Sequence, residues 1–157
     1  MDSHALRAFL LATFGNLDDK QIMALTIWGE ARGEIHDGKI AVGTVILNRV
    51  DHHDWEGNTI QAVCLCPYQF SCYLPNDPNE AKMKSIADNW DTSYQSSSVL
   101  QECYEVASGL IDGTIPRTPI LAERKVCQYK TVGCEASWAD VMILVTTIGH
   151  QEFWGTA

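Results

Sequence analysis

From Ile22 to Trp28 the chain reads IMALTIW, and at 3.6 residues per turn these side chains cover almost the whole circumference of a helix. A helix apolar almost all round is a buried one. Asp18 and Asp19 suit its N-cap and first turn, Leu17 is placed as a hydrophobic staple, and the helix runs to about Ala31 with Gly33 as its stop. One carboxylate, Glu30, falls seven residues after Met23 and three after Ile27, on their face. A carboxyl in apolar surroundings resists ionisation, which is what a general acid needs near neutral pH. Glu34 follows four residues later and is the rival candidate, although the break at Gly33 is expected to turn it out of register. Arg32 reads as structural.

The remaining elements are read from period and punctuation. His36-Asp37-Gly38 is a turn with Asp37 as a candidate cap. Lys39 to Val50 is rich in Ile and Val, but its length and the spacing of Val42, Val45, Ile46 and Arg49 favour a helix packed closely through Gly43. A polar loop covers Asp51 to Asn58, and Pro67, Pro75 and Pro78 mark further loop. Asp77-Pro78 then reads as N-cap and first position of a helix through Trp90. Ser98 with Gln101 predicts a capping box opening a helix through Leu100, Cys103, Tyr104, Ala107 and Leu110, which stops near Gly113. Residues 113–136 read as loop with short strands. Ser137 with Asp140 predicts another capped start, while Leu144 to Ile148 is β-branched and ambiguous. The fold class expected is α+β, mainly helical with a small β element, as a single domain over residues 1–157.

Several function classes are disfavoured. A formal net charge of −9 gives no general attraction to nucleic acid or anionic lipid. No apolar run approaches the roughly 18 residues of a membrane span, so no membrane insertion is expected. The apolar run Ala8 to Phe14 lacks a basic flank and a clean small-residue cleavage pattern, and reads as a short amphipathic helix rather than an export signal. Six cysteines (Cys64, Cys66, Cys72, Cys103, Cys127, Cys134) permit disulfides but do not define a disulfide scaffold. Cys64-Leu65-Cys66 is a CxC with no second zinc-spaced pair, and His36-Asp37 and His52-His53-Asp54 lie in polar turns without helical ligand spacing. Neither a metal nor another cofactor is expected.

Two chemistries stay open on residue types alone. Aromatic residues gather near the loops (Tyr68, Phe70, Tyr73, Tyr129, Trp138, Phe153, Trp154), as in a groove that stacks sugar rings, with Phe70 and Phe153 the best candidates for plain core. Cys72 with His150 is a candidate thiol–base pair of the kind found in cysteine peptidases and amidases.

One set of motifs carries a resemblance. WGEARGE at 28–34, followed by GKIAVGTVILNRV at 38–50, resembles the signature of the cell-wall hydrolases typified by the spore cortex-lytic enzyme. CPYQFSCY at 66–73, Asp77-Pro78, the Cys103–Gly113 helix, SWA at 137–139 and IGHQEFW at 148–154 resemble later blocks of that family in the same order, so the likeness spans about 20–154. It implies a lysozyme-like catalytic domain that acts on peptidoglycan glycan strands, cleaving the β-1,4 bond between N-acetylmuramic acid and N-acetylglucosamine as a lytic transglycosylase or muramidase. The family's catalytic glutamate, the first of GEARGE, carries over to Glu30. Gln69, Phe70, Ser71 and Tyr129 carry over as substrate-groove candidates. The chain departs from the family at Gln128, where His is common, at His150-Gln151, where Asn-His is usual, and at Ala136 in place of Pro. A bare catalytic domain without an export signal implies a monomeric bacteriophage endolysin, held in the host cytoplasm until a holin opens its way to the wall. The alternatives are an amidase or peptidase using Cys72 or a metal, and a non-catalytic wall-binding or virion protein on the same scaffold.

Overall fold

A computed structural model describes residues 1–53 and 56–157. Its elements are α1 (Ser3–Phe14), α2 (Asp19–Ala31), α3 (His36–His52), α4 (Ile60–Cys64), α5 (Pro78–Asp88), α6 (Trp90–Ser96), α7 (Ser98–Asp112) and α8 (Pro119–Glu123), then strands β1 (Gln128–Thr131), β2 (Ile143–Ile148) and β3 (Gln151–Gly155). Two 3-10 turns, Ser71–Tyr73 and Ser137–Val141, complete the path.

The apolar helix is the axis. Asp18 accepts from the Gln21 backbone N–H at 2.8 Å while the Gln21 side chain accepts from the Asp18 N–H at 3.0 Å, a full capping box. Ile22 through Ile27 are all buried, and α2 packs against α3, α4, α5 and α7. Gly43 makes the α3 approach possible: a Cβ there would stand 2.5 Å from Leu110 Cδ1 and 3.1 Å from Met23 Cε. α1 is also core, burying Leu6, Leu10 and Phe14, with the Phe14 ring edge-on to Tyr73 at 5.0 Å.

α3 serves two cores. Val42 and Ile46 join the main helical core, while Ala41 and Val45 pack with Leu121, Val126 and Phe153 beneath the sheet. That sheet is antiparallel in the order β1-β3-β2, with a register irregularity between Leu144 and Thr146. Polar residues of α3 fasten the two parts together. Asn48 Nδ2 donates to the carbonyls of Leu121 and Val126, and Arg49 Nε donates to that of Cys127 at 2.8 Å.

Local punctuation differs from expectation at five places. Asp37 is not the cap of α3; Ile35 holds that position without a side-chain bond, and Asp37 sits in the first turn, where the helix dipole favours an acid. α3 extends to His52, past its expected end at Val50, and of the His52-His53-Asp54 turn Asp54 lies outside the described residues. The helix expected through Trp90 breaks at Asn89, whose side chain competes for the Ser85 carbonyl. The cap of α7 is Ser97 rather than Ser98, because Ser97 is the extended residue and accepts from the Leu100 N–H at 3.1 Å. Ser137 to Asp140 is a 3-10 turn with no side-chain cap, and the ambiguous run after it is a strand. β-branched residues there pair with β3 across a two-residue turn in which Gly149 takes φ +58°.

Candidate active site

Glu30 lies in the last turn of α2 and lines a cleft of about 410 Å³ together with Arg49, Tyr68, Gln69, Gln128, Tyr129 and Trp138. Each wall has a local cause. Gly29 lets α2 touch the Ser71–Tyr73 turn, since a Cβ there would stand 2.8 Å from both Cys72 Sγ and Met83 Sδ. Arg49 reaches the cleft from α3, its guanidinium 5.0 Å from the Phe70 ring centre. By holding the Cys127 carbonyl it also fixes where β1 begins, and β1 opens with Gln128 and Tyr129.

The Tyr129 hydroxyl donates to Glu30 Oε1 at 2.5 Å. Glu30 is half-buried, and burial raises its carboxyl above the ordinary value. Hydrogen bonds from Tyr129 and Cys72 and the charge of Arg49 pull the other way without cancelling the shift. A carboxyl of this kind holds a proton toward neutral pH and, once ionised, has two donors ready to stabilise it. That arrangement suits a group that gives a proton and takes one back.

Glu34 is employed elsewhere. Its Oε1 accepts from the His150 backbone N–H at 2.7 Å and its Oε2 lies 2.9 Å from His150 Nδ1, so it clasps the β2–β3 turn. Burial pushes its carboxyl up, but the hydrogen bonds and charge of His150, with help from Lys39, leave it below the ordinary value. Glu56, a third carboxyl, is buried behind Arg49, with Oε2 3.9 Å from Arg49 Nη1, and burial raises it as well.

Of the groove candidates, Gln69 and Tyr129 line the cleft beside Glu30, while Phe70 and Ser71 do not. Phe70 is 2% exposed because its ring forms the bed of the Arg49 guanidinium, and Ser71 faces solvent at the start of a 3-10 turn. The thiol–base pair is absent. Cys72 is buried with its thiol pushed well above the usual range by that burial, whereas the His150 ring is exposed and paired with Glu34. All six cysteines are free thiols. Among the described residues no cluster of three or more His, Cys, Asp or Glu side chains is arranged to hold a metal. Two residues of the cleft, Arg49 and Gln128, are not distinguished by sequence: Arg49 reads there as one more position on a helix period, and Gln128 only as a departure from a motif.

The profile of a family described as Cell Wall Hydrolase matches residues 33–154, opening three residues beyond Glu30. The spore cortex-lytic enzyme of Bacillus cereus is 37% identical over 81 residues, covering 47% of this chain and 31% of that protein. The Bacillus subtilis spore cortex-lytic enzyme is 31% identical over 96 residues, covering 57% and 31%. The chain thus matches about a third of the length of these relatives. In fold it is similar to the catalytic domain of a germination-specific lytic transglycosylase from Bacillus anthracis, with TM-score 0.58, 23% identity and coverage of 87% of this chain and 93% of that one. The catalytic domain of the Bacillus cereus SleB protein gives TM-score 0.54 at the same identity, covering 87% and 88%.

Proposed function

The chain belongs to the cell wall hydrolase family, and from that premise we propose that it cleaves peptidoglycan glycan strands as a lytic transglycosylase, with Glu30 as acid and then base. The observation that carries this reading is the cleft itself: Glu30, the one carboxyl among the described residues that line it, is half-buried, raised by burial, and hydrogen-bonded to Tyr129.

Protonated Glu30 gives its proton to the oxygen joining N-acetylmuramic acid to N-acetylglucosamine. The C1–O bond breaks, the glucosamine end leaves with a hydroxyl, and positive charge develops at C1 of the muramic ring. Tyr129, with the nearby Arg49 charge, stabilises the new carboxylate. That carboxylate then removes the proton from the muramic C6 hydroxyl as its oxygen closes on C1, leaving a 1,6-anhydro end and a reprotonated Glu30. A retaining or inverting hydrolase needs a second carboxylate at the sugar. Glu34 is clasped to His150 and Glu56 stands behind Arg49, so neither faces the cleft. With Glu30 the one carboxyl lining the cleft among the described residues, the intramolecular route is favoured over hydrolysis.

Muropeptide mass spectrometry of sacculi digested by wild type and by Glu30→Gln tests this. The expected result is products ending in 1,6-anhydro-muramic acid with wild type and none with the variant. Reducing muramic ends would replace transglycosylation by hydrolysis. An active Glu30→Gln would overturn the acid assignment, and sacculus binding without products would favour a wall-binding role.

The setting proposed for this activity is lysis of a bacterial host from within, by a monomer that reaches the wall once a holin opens the membrane. The expected outcome is that cells expressing the chain lyse only when their inner membrane is permeabilised.

A further inference from the structure

Tyr68 is the cleft residue whose backbone its own side chain disfavours. It takes φ +64°, in the left-handed region, and lies 52% exposed on the cleft rim. The turn around it explains the position. The Gln69 N–H donates to the Cys66 carbonyl at 3.2 Å, so Pro67 and Tyr68 are the two central residues of a β-turn. When only the turn matters, Pro is common at the first central position and Gly or Asn fills a second one with positive φ. An aromatic residue here keeps strain that either would relieve, and such strain persists where the side chain has work to do. Its hydroxyl donates to the Met1 carbonyl, which orients the ring.

The opposite part of the molecule supplies a second aromatic to the same cleft. Trp138, from the 3-10 turn before the hairpin, is half-buried and braced by Trp154, ring centres 6.2 Å apart at 73°. The same cleft is also lined by Glu30 and by the amide-bearing side chains of Gln69 and Gln128. A pyranose ring has an apolar C–H face for an aromatic plane and a rim of hydroxyl and acetamido groups for amides. We propose that Tyr68 and Trp138 are two stacking platforms that seat successive pyranose rings of an N-acetylhexosamine strand across Glu30, Tyr68 being held in its left-handed conformation for that contact. The inference rests on the glycan-cleaving reading and adds to it which side chains grip the strand.

Binding without turnover tests it. Calorimetric titration of Glu30→Gln with purified glycan strands gives the reference affinity. Adding Tyr68→Asn, which suits the turn, should weaken binding about tenfold while leaving the melting temperature equal or higher. Tyr68→Phe should restore most of the affinity lost in the Asn variant, and Trp138→Ala should weaken binding comparably. If Tyr68→Asn binds as tightly as its parent, or if Tyr68→Phe loses affinity and melting temperature together with it, Tyr68 only anchors the Met1 segment and the proposal fails. If Glu30→Gln binds no glycan strand, the proposal falls with the reading it rests on.

Discussion

Glu30 and Glu34 stand four residues apart in one motif, yet they belong to different regions of the molecule. Glu30 ends the central helix, where α2, the 66–73 loop and β1 converge, and its carboxyl looks into a cleft with a tyrosine hydroxyl at 2.5 Å. Glu34 follows the break and reaches the hairpin turn at His150, 116 residues away in sequence. Burial dominates at the first and raises the carboxyl, while hydrogen bonds and charge overcome burial at the second and lower it. The same residue type becomes a proton store in one place and a fastening in the other. Each carboxylate has two hydrogen-bond donors, so what decides is whether the cost of lost water exceeds them, as at Glu30, or falls short of them and the neighbouring charge, as at Glu34.

The sharpest way to break this contrast is activity. Glu30→Gln is expected to reduce release of muropeptides from sacculi by about 10²–10⁴-fold, the usual range for a general acid–base. Glu34→Gln should keep activity within about tenfold, since it acts only through the hairpin, and equal losses would erase the distinction. Next in size is packing. Gly29→Ala forces a methyl against Cys72 and Met83 and should cost about 1–3 kcal/mol in chemical denaturation. It should also lower activity more than an equally destabilising change near His150, because it moves Glu30 relative to Tyr129.

A finer test reads the pH profile. The Tyr129 hydroxyl favours the ionised form of Glu30, so Tyr129→Phe should raise the Glu30 carboxyl further and move the alkaline limb of activity to higher pH. A limb that stays put or moves to lower pH would remove Tyr129 from the proton chemistry. The smallest effects, in melting temperature, should have opposite signs. Glu30 is raised in the folded state, so its contribution is full below the ordinary carboxyl range and is lost as pH rises through its folded value. Glu30→Gln should therefore melt above wild type at pH 8, with the gap closing toward about pH 4. Glu34 is lowered, so its contribution is present above the ordinary value and lost as pH falls through its folded value. Glu34→Gln should melt below wild type at pH 8, and the deficit should shrink in acid.

Much of this arrangement is local and was therefore legible in the residues. Helix α2 follows from an apolar run that must be buried, and its start follows from Asp18 and Asp19; the reciprocal bond with Gln21 emerges only in the structure. Gly43 announced a close helix crossing, and Asp77-Pro78 the start of α5. The α+β class and the placing of Glu30 on the buried face rest on the same periodicities. Caps one and two residues off, at Ser97 and Ile35, and the broken helix at Asn89 reflect competition between side chains and backbone that period alone does not weigh. The cleft is another matter. Glu30, Gln69, Tyr129 and Trp138 come from four separate stretches, and only the folded chain brings them together. Arg49 carries no sequence mark of its role in seating β1, Phe70 becomes the bed beneath it, and Glu34 finds His150 only after the hairpin closes. Sequence determined the elements, because hydrophobic period and capping act within a few residues. Tertiary structure decided which carboxyl keeps a proton, because desolvation and donor geometry depend on what the rest of the chain brings within a few ångströms.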